Sequence, residues 1–428
     1  MEDNNNIVII GGGFAGVELA ERLLKSDENQ HVILVDRNNY NFFPPLLYQV
    51  ATGFLDVSNI SYPFRKFFRN HKRFSFRMGE LLEIRQEDSK VILDNGEIPY
   101  SKLVLATGTV TNYFGNDNIR RNALPMKTIT DAINLKNKIL DRLELATRTS
   151  DTRERMKLTT FVVAGGGPTG VEIAGMLGEL RKNILSQDYP ELRDSPFDIY
   201  LIDGLPTILA PMSRASQQYA TDSLREMGVK VKLGQVVKDY SDDLVNLADG
   251  TTIHTSNLIW TAGVTAQVFP GLSEGYYGKG KRLLVDAFNK IRGTQNIYAL
   301  GDTCLMTTDP SFPDGHPQLA QVAIQQARLL SSNILFMDKN KEPKPFIYND
   351  KGSMAIIRRN RAVADLKGPI KHFNGFLAWL IWVFIHLMSL INLRNKITTF
   401  FNWLNSYATK DQPLRMIIDP SKEDPKLK

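Results

Sequence analysis

Two glycine-rich stretches, GGGFAGVE from Gly11 and GGGPTGVE from Gly165, hold the residues whose spacing most directly implies chemistry. Each contains G-x-G-x-x-G and each follows a β-branched run, IVII from Ile7 and FVVA from Phe161. In such a turn the first glycine (Gly11, Gly165) reverses the chain tightly, the middle one (Gly13, Gly167) lets backbone amides reach a pyrophosphate, and the last (Gly16, Gly170) lets helix pack on strand. The helix that opens next, through Phe14 and Ala15 in the first copy, aims its amides and the positive end of its dipole at the anion. An acid closes the following strand in both copies, Asp36 at the end of HVILVD and Asp203 at the end of DIYLID. Such a carboxylate accepts hydrogen bonds from a ribose diol and repels a 2′-phosphate, so the second site is expected to favour NADH over NADPH. Two dinucleotides in one chain point to electron transfer between them.

The elements that must position these residues read as an α/β fold with two Rossmann-like domains. After each fingerprint comes an alternating stretch with a hairpin signal, VILDNGEIPYSKLVL at 91–105 with Asn95-Gly96 and VNLADGTTIHTSNLIW at 245–260 with Asp249-Gly250. Both end in small-residue turns, Ala106-Thr107-Gly108 and Thr261-Ala262-Gly263, which either let the backbone approach a flat ligand or are plain tight turns. NIYALGDTC places Gly301 and Asp302 after a strand, and AQVAIQQA opens a helix at Ala320. Asp302 suits a ribityl or pyrophosphate-linked hydroxyl, and equally a helix N-cap. Glu172, two positions beyond Gly170, could position NADH or handle protons. Glu18 has the same offset from Gly16, so both could be first-turn acids favoured by the helix dipole. The expected division is 1–115 with 280–340, then 116–279, then 341–428.

With 428 residues and 43% hydrophobic content, the chain has room for two or three domains and no case for broad disorder. Its one cysteine, Cys304, excludes a C-x-x-C redox pair and is expected to be a small buried residue. No metal site is expected. The start, MEDNNNIVIIGGG, reaches the first strand within a few residues, so a signal peptide is not expected and a bacterial cytoplasmic origin is.

The net charge is +6, and residues 351–428 hold 13 Lys and Arg against 5 Asp and Glu, so the positive excess belongs to the tail. There, Phe373–Leu393 has no charged residue and is bracketed by Lys367, Lys371, Arg394 and Lys396. Trp379, Trp382 and Trp403 are expected at a headgroup interface. Residues 373–407 are therefore read as a lipid-membrane anchor. An uncharged run of about 20 residues is long enough to span, but His386, Ser389 and Asn392 draw a polar edge that favours lying in the interface; a buried dimer-interface helix is the other reading. Nucleic acid is excluded, since the basic residues flank an apolar helix rather than a polar groove.

The doubled fingerprint, the hairpin units, YALGD, FPPLLYQVATG at 43–53 and AQVAIQ at 320–325 together resemble the type II NADH:quinone oxidoreductases, flavoproteins with two dinucleotide-binding domains. The resemblance implies non-covalent FAD at Gly11, Gly13, Phe14, Ala15, Gly16, Asp36, Pro45, Thr107, Gly108, Gly301, Asp302, Ala320 and Gln321. It implies NADH at Gly165, Gly167, Gly170, Glu172, Asp203 and Gly263, and menaquinone or ubiquinone at Gln321 and Gln325 with the 45–49 loop nearby. Glu172, Gln321 and Gln325 are the implied catalytic residues. The implied reaction passes hydride from NADH to FAD and then two electrons to quinone, without proton pumping, in a homodimer lying monotopically on the cytoplasmic face of a bacterial inner membrane. Rival readings are a sulfide:quinone oxidoreductase, which needs paired cysteines, a ferredoxin or rubredoxin reductase, which has no use for the apolar tail, and a non-catalytic NADH-binding protein.

Overall fold

In the computed structural model, which describes residues 5–26, 30–367, 371–409 and 414–418, Ile7–Ile10 is buried throughout and forms the middle of a five-stranded parallel sheet. Its order is Ile297–Ala299, Lys102–Leu105, Asn6–Ile10, His31–Asp36 and Phe74–Met78. The second fingerprint repeats the plan, with Leu124–Pro125, Asn257–Trp260, Thr160–Ala164, Asp198–Asp203 and Val229–Leu233, again parallel. Unbroken apolar runs such as FVVA suit central strands covered on both faces. In each sheet the acid-bearing strand lies on one side of the fingerprint strand, and the strand ending in ATG or TAG lies on the other. That is a topological switch point, where ligands bind at the carboxyl ends of the strands.

Both hairpin signals fall within three-stranded antiparallel meanders, Leu81–Arg85 with Lys90–Leu93 and Gly96–Pro99, and Val237–Ser241 with Leu244–Leu247 and Thr252–His254. The first turn is shifted by one residue from expectation. Leu93 pairs with Gly96, so Asp94 and Asn95 form the loop and Gly96, at φ 127°, opens the next strand. Lys102–Leu105 and Asn257–Trp260 leave the meanders for the parallel sheets, where Leu103–Leu105 and the whole of Asn257–Trp260 are buried.

The chain clusters into two units, Met1–Phe42 with Ser61–Val110 and Val264–Asp350, and Phe43–Ile60 with Thr111–Gly263 and Lys351–Lys428. This differs from the division expected from sequence, because the 43–60 segment and the tail pack with the second fingerprint. Trp403 Nε1 donates to Gln49 Oε1 at 2.7 Å, and Thr399 reaches the Asn59 carbonyl.

The tail begins with an antiparallel sheet, Gly352–Arg358, Arg361–Leu366 and His372–Asn374, followed by helices Gly375–Ser389 and Leu393–Thr409. Ser389 bonds back to the Ile385 carbonyl, Leu390 is extended, and Asn392 Oδ1 accepts from the Asn395 amide. The polar edge read from His386, Ser389 and Asn392 is thus largely a helix stop and start. The first helix has 15 residues, about 22 Å at 1.5 Å per residue, short of the ~30 Å apolar core of a bilayer. Among the described residues no helix is long and apolar enough to cross a membrane.

The tryptophans also differ from expectation. Trp382 and Trp403 are buried with ring centroids 5.6 Å apart, Trp382 stacks on His386 at 4.0 Å, and Trp379 Nε1 donates to the Tyr407 hydroxyl. Large flat rings hold the two helices in place, and the exposed apolar residues are others: Phe376, Leu380, Phe384 and Met388 at four-residue spacing, and Leu393, Ile397 and Phe401 on the second helix. Trp382→Ala is expected to cost about 3–5 kcal/mol, as for other buried tryptophans, and denaturant unfolding of the purified protein measures it.

Candidate dinucleotide-binding sites

The three glycines of the first fingerprint have separate physical jobs. Gly11 sits at φ 102° with its amide bonded to the Val35 carbonyl, and a Cβ there would lie 2.4 Å from the Ala106 oxygen. A Cβ on Gly16 would lie 1.9 Å from the Gly11 oxygen. Gly13 is different: it is the N-cap of helix Phe14–Leu24, no side chain caps that helix, and a Cβ there meets nothing within 4 Å. Two glycines therefore permit the fold, and the third borders open space at an uncapped helix end. Ala15 is buried behind it.

Asp36 fixes the turn, accepting from the Gly12 amide at 2.7 Å and the Asn38 amide at 2.8 Å. Burial pushes its carboxyl up from the ordinary range, against the opposing pull of those bonds. Gly108, at φ 65°, also borders open space, and Thr107 Oγ1 bonds Thr303 Oγ1 at 3.3 Å. Asp302 lies in the short turn Gly301–Thr303, whereas helix Ala320–Asp338 has Leu319 as N-cap, so the N-cap reading of Asp302 falls. Ala320 and Gln321 form the first turn of that helix, which again has no capping side chain. Pro45 lies in the turn Pro44–Leu46, inside the segment that clusters with the second unit.

The second fingerprint has the same construction. Gly165 sits at φ 110° with a would-be Cβ 2.6 Å from the Thr261 carbonyl, and one on Gly170 would lie 1.8 Å from the Gly165 oxygen. Gly167 caps helix Pro168–Leu180 without a side-chain bond and borders open space. Asp203 accepts from the Gly166 and Leu205 amides. The Gly263 carbonyl accepts from the Asn112 amide at 3.0 Å. By contrast, helices Ile129–Arg148, Thr152–Thr159 and Arg214–Glu226 carry capping side chains, Thr128, Asp151 and Ser213. A helix end without a capping side chain, beside an acid-ended strand, fits a pyrophosphate and ribose in both cradles.

Glu172 and Glu18 share a sequence offset but not an environment. Glu18 bridges Arg22 at 2.6 Å and Arg328 at 2.7 Å. Glu172 is buried, its carboxyl accepts from the Ile356 backbone amide, and burial pushes it well above the usual carboxylate range. The fully buried Tyr48 hydroxyl is raised by burial and by the nearby Glu172. The helix-dipole reading describes neither residue well.

Gln325 clamps the Asn349 backbone, donating to its carbonyl at 2.9 Å and accepting from its amide at 3.0 Å. One N–H and one lone pair remain for a ligand. Sequence reading missed Gln326, which is fully buried and accepts from the Gly301 amide at 2.7 Å and from Cys304 Sγ. Its signal was a polar residue at the buried 322, 326, 330 spacing of an otherwise apolar face. Cys304 is buried, and burial pushes its thiol up to about 11, which leaves it a poor nucleophile. Among the described residues no group of three or more His, Cys, Asp or Glu is placed to hold a metal ion.

Residues 5–327 match the family described as pyridine nucleotide-disulphide oxidoreductase, and residues 351–409 match the NDH2 C-terminal domain. The chain is 36% identical over 430 residues to the type II NADH:quinone oxidoreductase Ndh of Mycobacterium tuberculosis, covering 97% of this chain and 90% of that protein. The chain belongs to the type II NADH:quinone oxidoreductase family. A type II NADH:quinone oxidoreductase of Haemophilus influenzae is 29% identical, with 90% of this chain and 93% of that one covered. The fold is also that of NDH2 from Plasmodium falciparum, solved in complex with NADH, at TM-score 0.87, 21% identity, and 97% and 100% coverage. The sulfide:quinone oxidoreductase of Aquifex aeolicus shares the fold more distantly, at TM-score 0.70 and 17% identity over 98% and 94% of the chains. As a type II NADH:quinone oxidoreductase, the chain is an FAD-dependent enzyme that oxidises NADH and reduces quinone.

Proposed function

We propose that this oxidoreductase is non-proton-pumping and works as a homodimer, lying monotopically on the cytoplasmic face of a bacterial inner membrane and reducing menaquinone or ubiquinone there. The observation that supports the division of labour is the pair of open, uncapped helix ends at Gly13 and Gly167, each beside a strand that ends in aspartate. The first cradle would hold FAD through the amides after Gly13, the Asp36 carboxylate, the Thr107-Gly108 turn, and Gly301, Asp302, Ala320 and Gln321. The bound flavin supplies the capacity to take two electrons from a nicotinamide and give them to a quinone.

The chain's own residues orient the substrates. The amides after Gly167 bind the NADH pyrophosphate, and Asp203 accepts from the adenosine ribose and repels a 2′-phosphate. Gly263 lets the backbone approach the other end of NADH. Glu172 positions NADH or holds a proton at its carboxyl, and Gln321 and Gln325 bind quinone. Purified protein is expected to oxidise NADH with short-chain menaquinone or ubiquinone analogues and to turn over NADPH at least about tenfold less efficiently. Oxidation of NADH without any quinone reduction would overturn this reading.

The membrane reading rests on the exposed stripe Phe376, Leu380, Phe384, Met388 and its counterpart on Leu393–Thr409, flanked by Lys371, Arg394 and Lys396. Apolar faces with basic flanks seat helices in the interface plane. Phe384→Glu with Phe401→Glu is expected to lower cosedimentation with anionic vesicles at least about tenfold, since each phenylalanine withdraws about 2 kcal/mol of apolar burial. Activity with a water-soluble quinone analogue is expected to persist.

A further inference from the structure

Phe114 stands in a place that aromatic residues rarely occupy. Tyr113-Phe114-Gly115-Asn116 is a tight turn, closed by the Asn116 amide on the Tyr113 carbonyl at 2.9 Å, with Phe114 at φ 50° and Gly115 at φ 77°. Turns with two left-handed central residues are normally built from Asn, Asp and Gly, because a Cβ and a bulky side chain are strained there. This turn is over-determined by its surroundings. Asn112 Oδ1 accepts from the Phe114 amide at 2.9 Å, the Asn112 carbonyl accepts from Trp260 Nε1 at 2.9 Å, and Asn116 caps the helix Asp117–Asn122. Held strain of this kind clusters at functional positions.

The ring the turn presents is not part of the core. Phe114 is 67% exposed, and it touches Trp260 only edge-on, with centroids 6.4 Å apart. It lies against Gly263 so closely that a Cβ on that glycine would sit 2.9 Å from Phe114 Cζ. Gly263 belongs to the turn after strand Asn257–Trp260, and that strand lies on the opposite side of the fingerprint strand from Asp203. A dinucleotide with its adenosine ribose on Asp203 and its pyrophosphate at Gly167 therefore directs its nicotinamide riboside toward Gly263 and Phe114.

We infer that Phe114 is a substrate-binding residue whose exposed ring packs against the nicotinamide riboside half of NADH, and that the strained turn exists to present it. This rests on the second cradle being the NADH site, so the test separates the two. Full-length purified protein is compared with Phe114→Asn, which suits the turn, and Phe114→Tyr, which keeps the ring, using KM for NADH, Ki for ADP and the melting temperature. ADP carries the adenosine and pyrophosphate but lacks the nicotinamide riboside.

The Asn variant is expected to raise KM for NADH about tenfold, the scale of one lost aromatic contact, with an unchanged Ki for ADP and a melting temperature unchanged or higher. The Tyr variant is expected to restore KM. An unchanged KM in the Asn variant, or a parallel rise in the ADP Ki, would overturn the inference while leaving the cradle in place. Asp203→Ala serves as the control: if it moves neither the NADH KM nor the ADP Ki, the cradle itself is misassigned and the inference falls with it.

Discussion

A Gly16→Ala variant is expected to purify without its flavin. The added methyl would sit 1.9 Å from the Gly11 carbonyl oxygen and 3.3 Å from Ile9 Cγ2, and the first of these is backbone that cannot rotate away. Helix Phe14–Leu24 must then move off the strand, carrying with it the amides that follow Gly13. Overpacking of this kind costs about 1–3 kcal/mol of stability, and misplacing the anion-binding amides adds a loss of binding in which each 1.4 kcal/mol is about tenfold. Flavin content per chain, read from the visible absorbance of the purified protein, is expected to fall below about a tenth of the unaltered value. Gly13→Ala makes the contrast. Its methyl meets no protein atom within 4 Å, so the melting temperature of the flavin-free protein is expected to hold while flavin affinity drops. Gly170→Ala, with 1.8 Å to the Gly165 oxygen, is expected to leave the protein yellow and raise KM for NADH.

Glu172→Gln is expected to separate activity from stability. The carboxyl is buried, and burial holds its pKa well above the ordinary value. A group raised in this way favours folding below the ordinary carboxylate pKa, and that contribution is lost as pH rises toward the folded-state value. Glutamine cannot ionise, so the variant is expected to match the parent protein in acid and exceed its melting temperature at neutral and alkaline pH. Turnover moves the other way. If the carboxyl positions NADH or moves a proton, quinone-linked kcat is expected to fall about a hundredfold, with flavin still bound and the carboxyl's limb of the pH profile gone. Unchanged kinetics with the same gain in stability would leave Glu172 a purely structural acid.

The parts of this enzyme legible in its sequence are those governed by local rules. A glycine that must take positive φ, an acid at a strand end and a helix opened without a capping side chain each leave a mark within a few residues, and both cradles were visible for that reason. What depends on distant residues was not. Glu18 and Glu172 occupy equal offsets, and beyond the local Arg22 beside Glu18 it is Arg328, 310 residues from Glu18, and the burial of Glu172 under the Ile356 amide that distinguish them. The three tail tryptophans have the composition of a headgroup belt, yet Trp382 and Trp403 are consumed by helix packing and by Gln49 from the 43–60 segment. That segment's placement with the second fingerprint is likewise non-local. At Asp94-Asn95 the miss was one residue of register, since the two loop residues keep negative φ and the positive φ falls on Gly96, which opens the next strand. Gln326 was overlooked because its neighbour Gln325 drew the reading to the AQVAIQ motif, and Phe114 because only its contact with Gly263, far along the chain, marks it.

Anaerobic titration of the purified full-length protein with NADH, followed by a short-chain quinone, tests the two-cradle arrangement most directly. The expected result is a flavin absorption band that one equivalent of NADH per chain bleaches and that quinone then restores, with NADPH bleaching it far more weakly. A protein that takes up no flavin on reconstitution, or whose flavin NADH leaves oxidised, would contradict the assignment of the two sites.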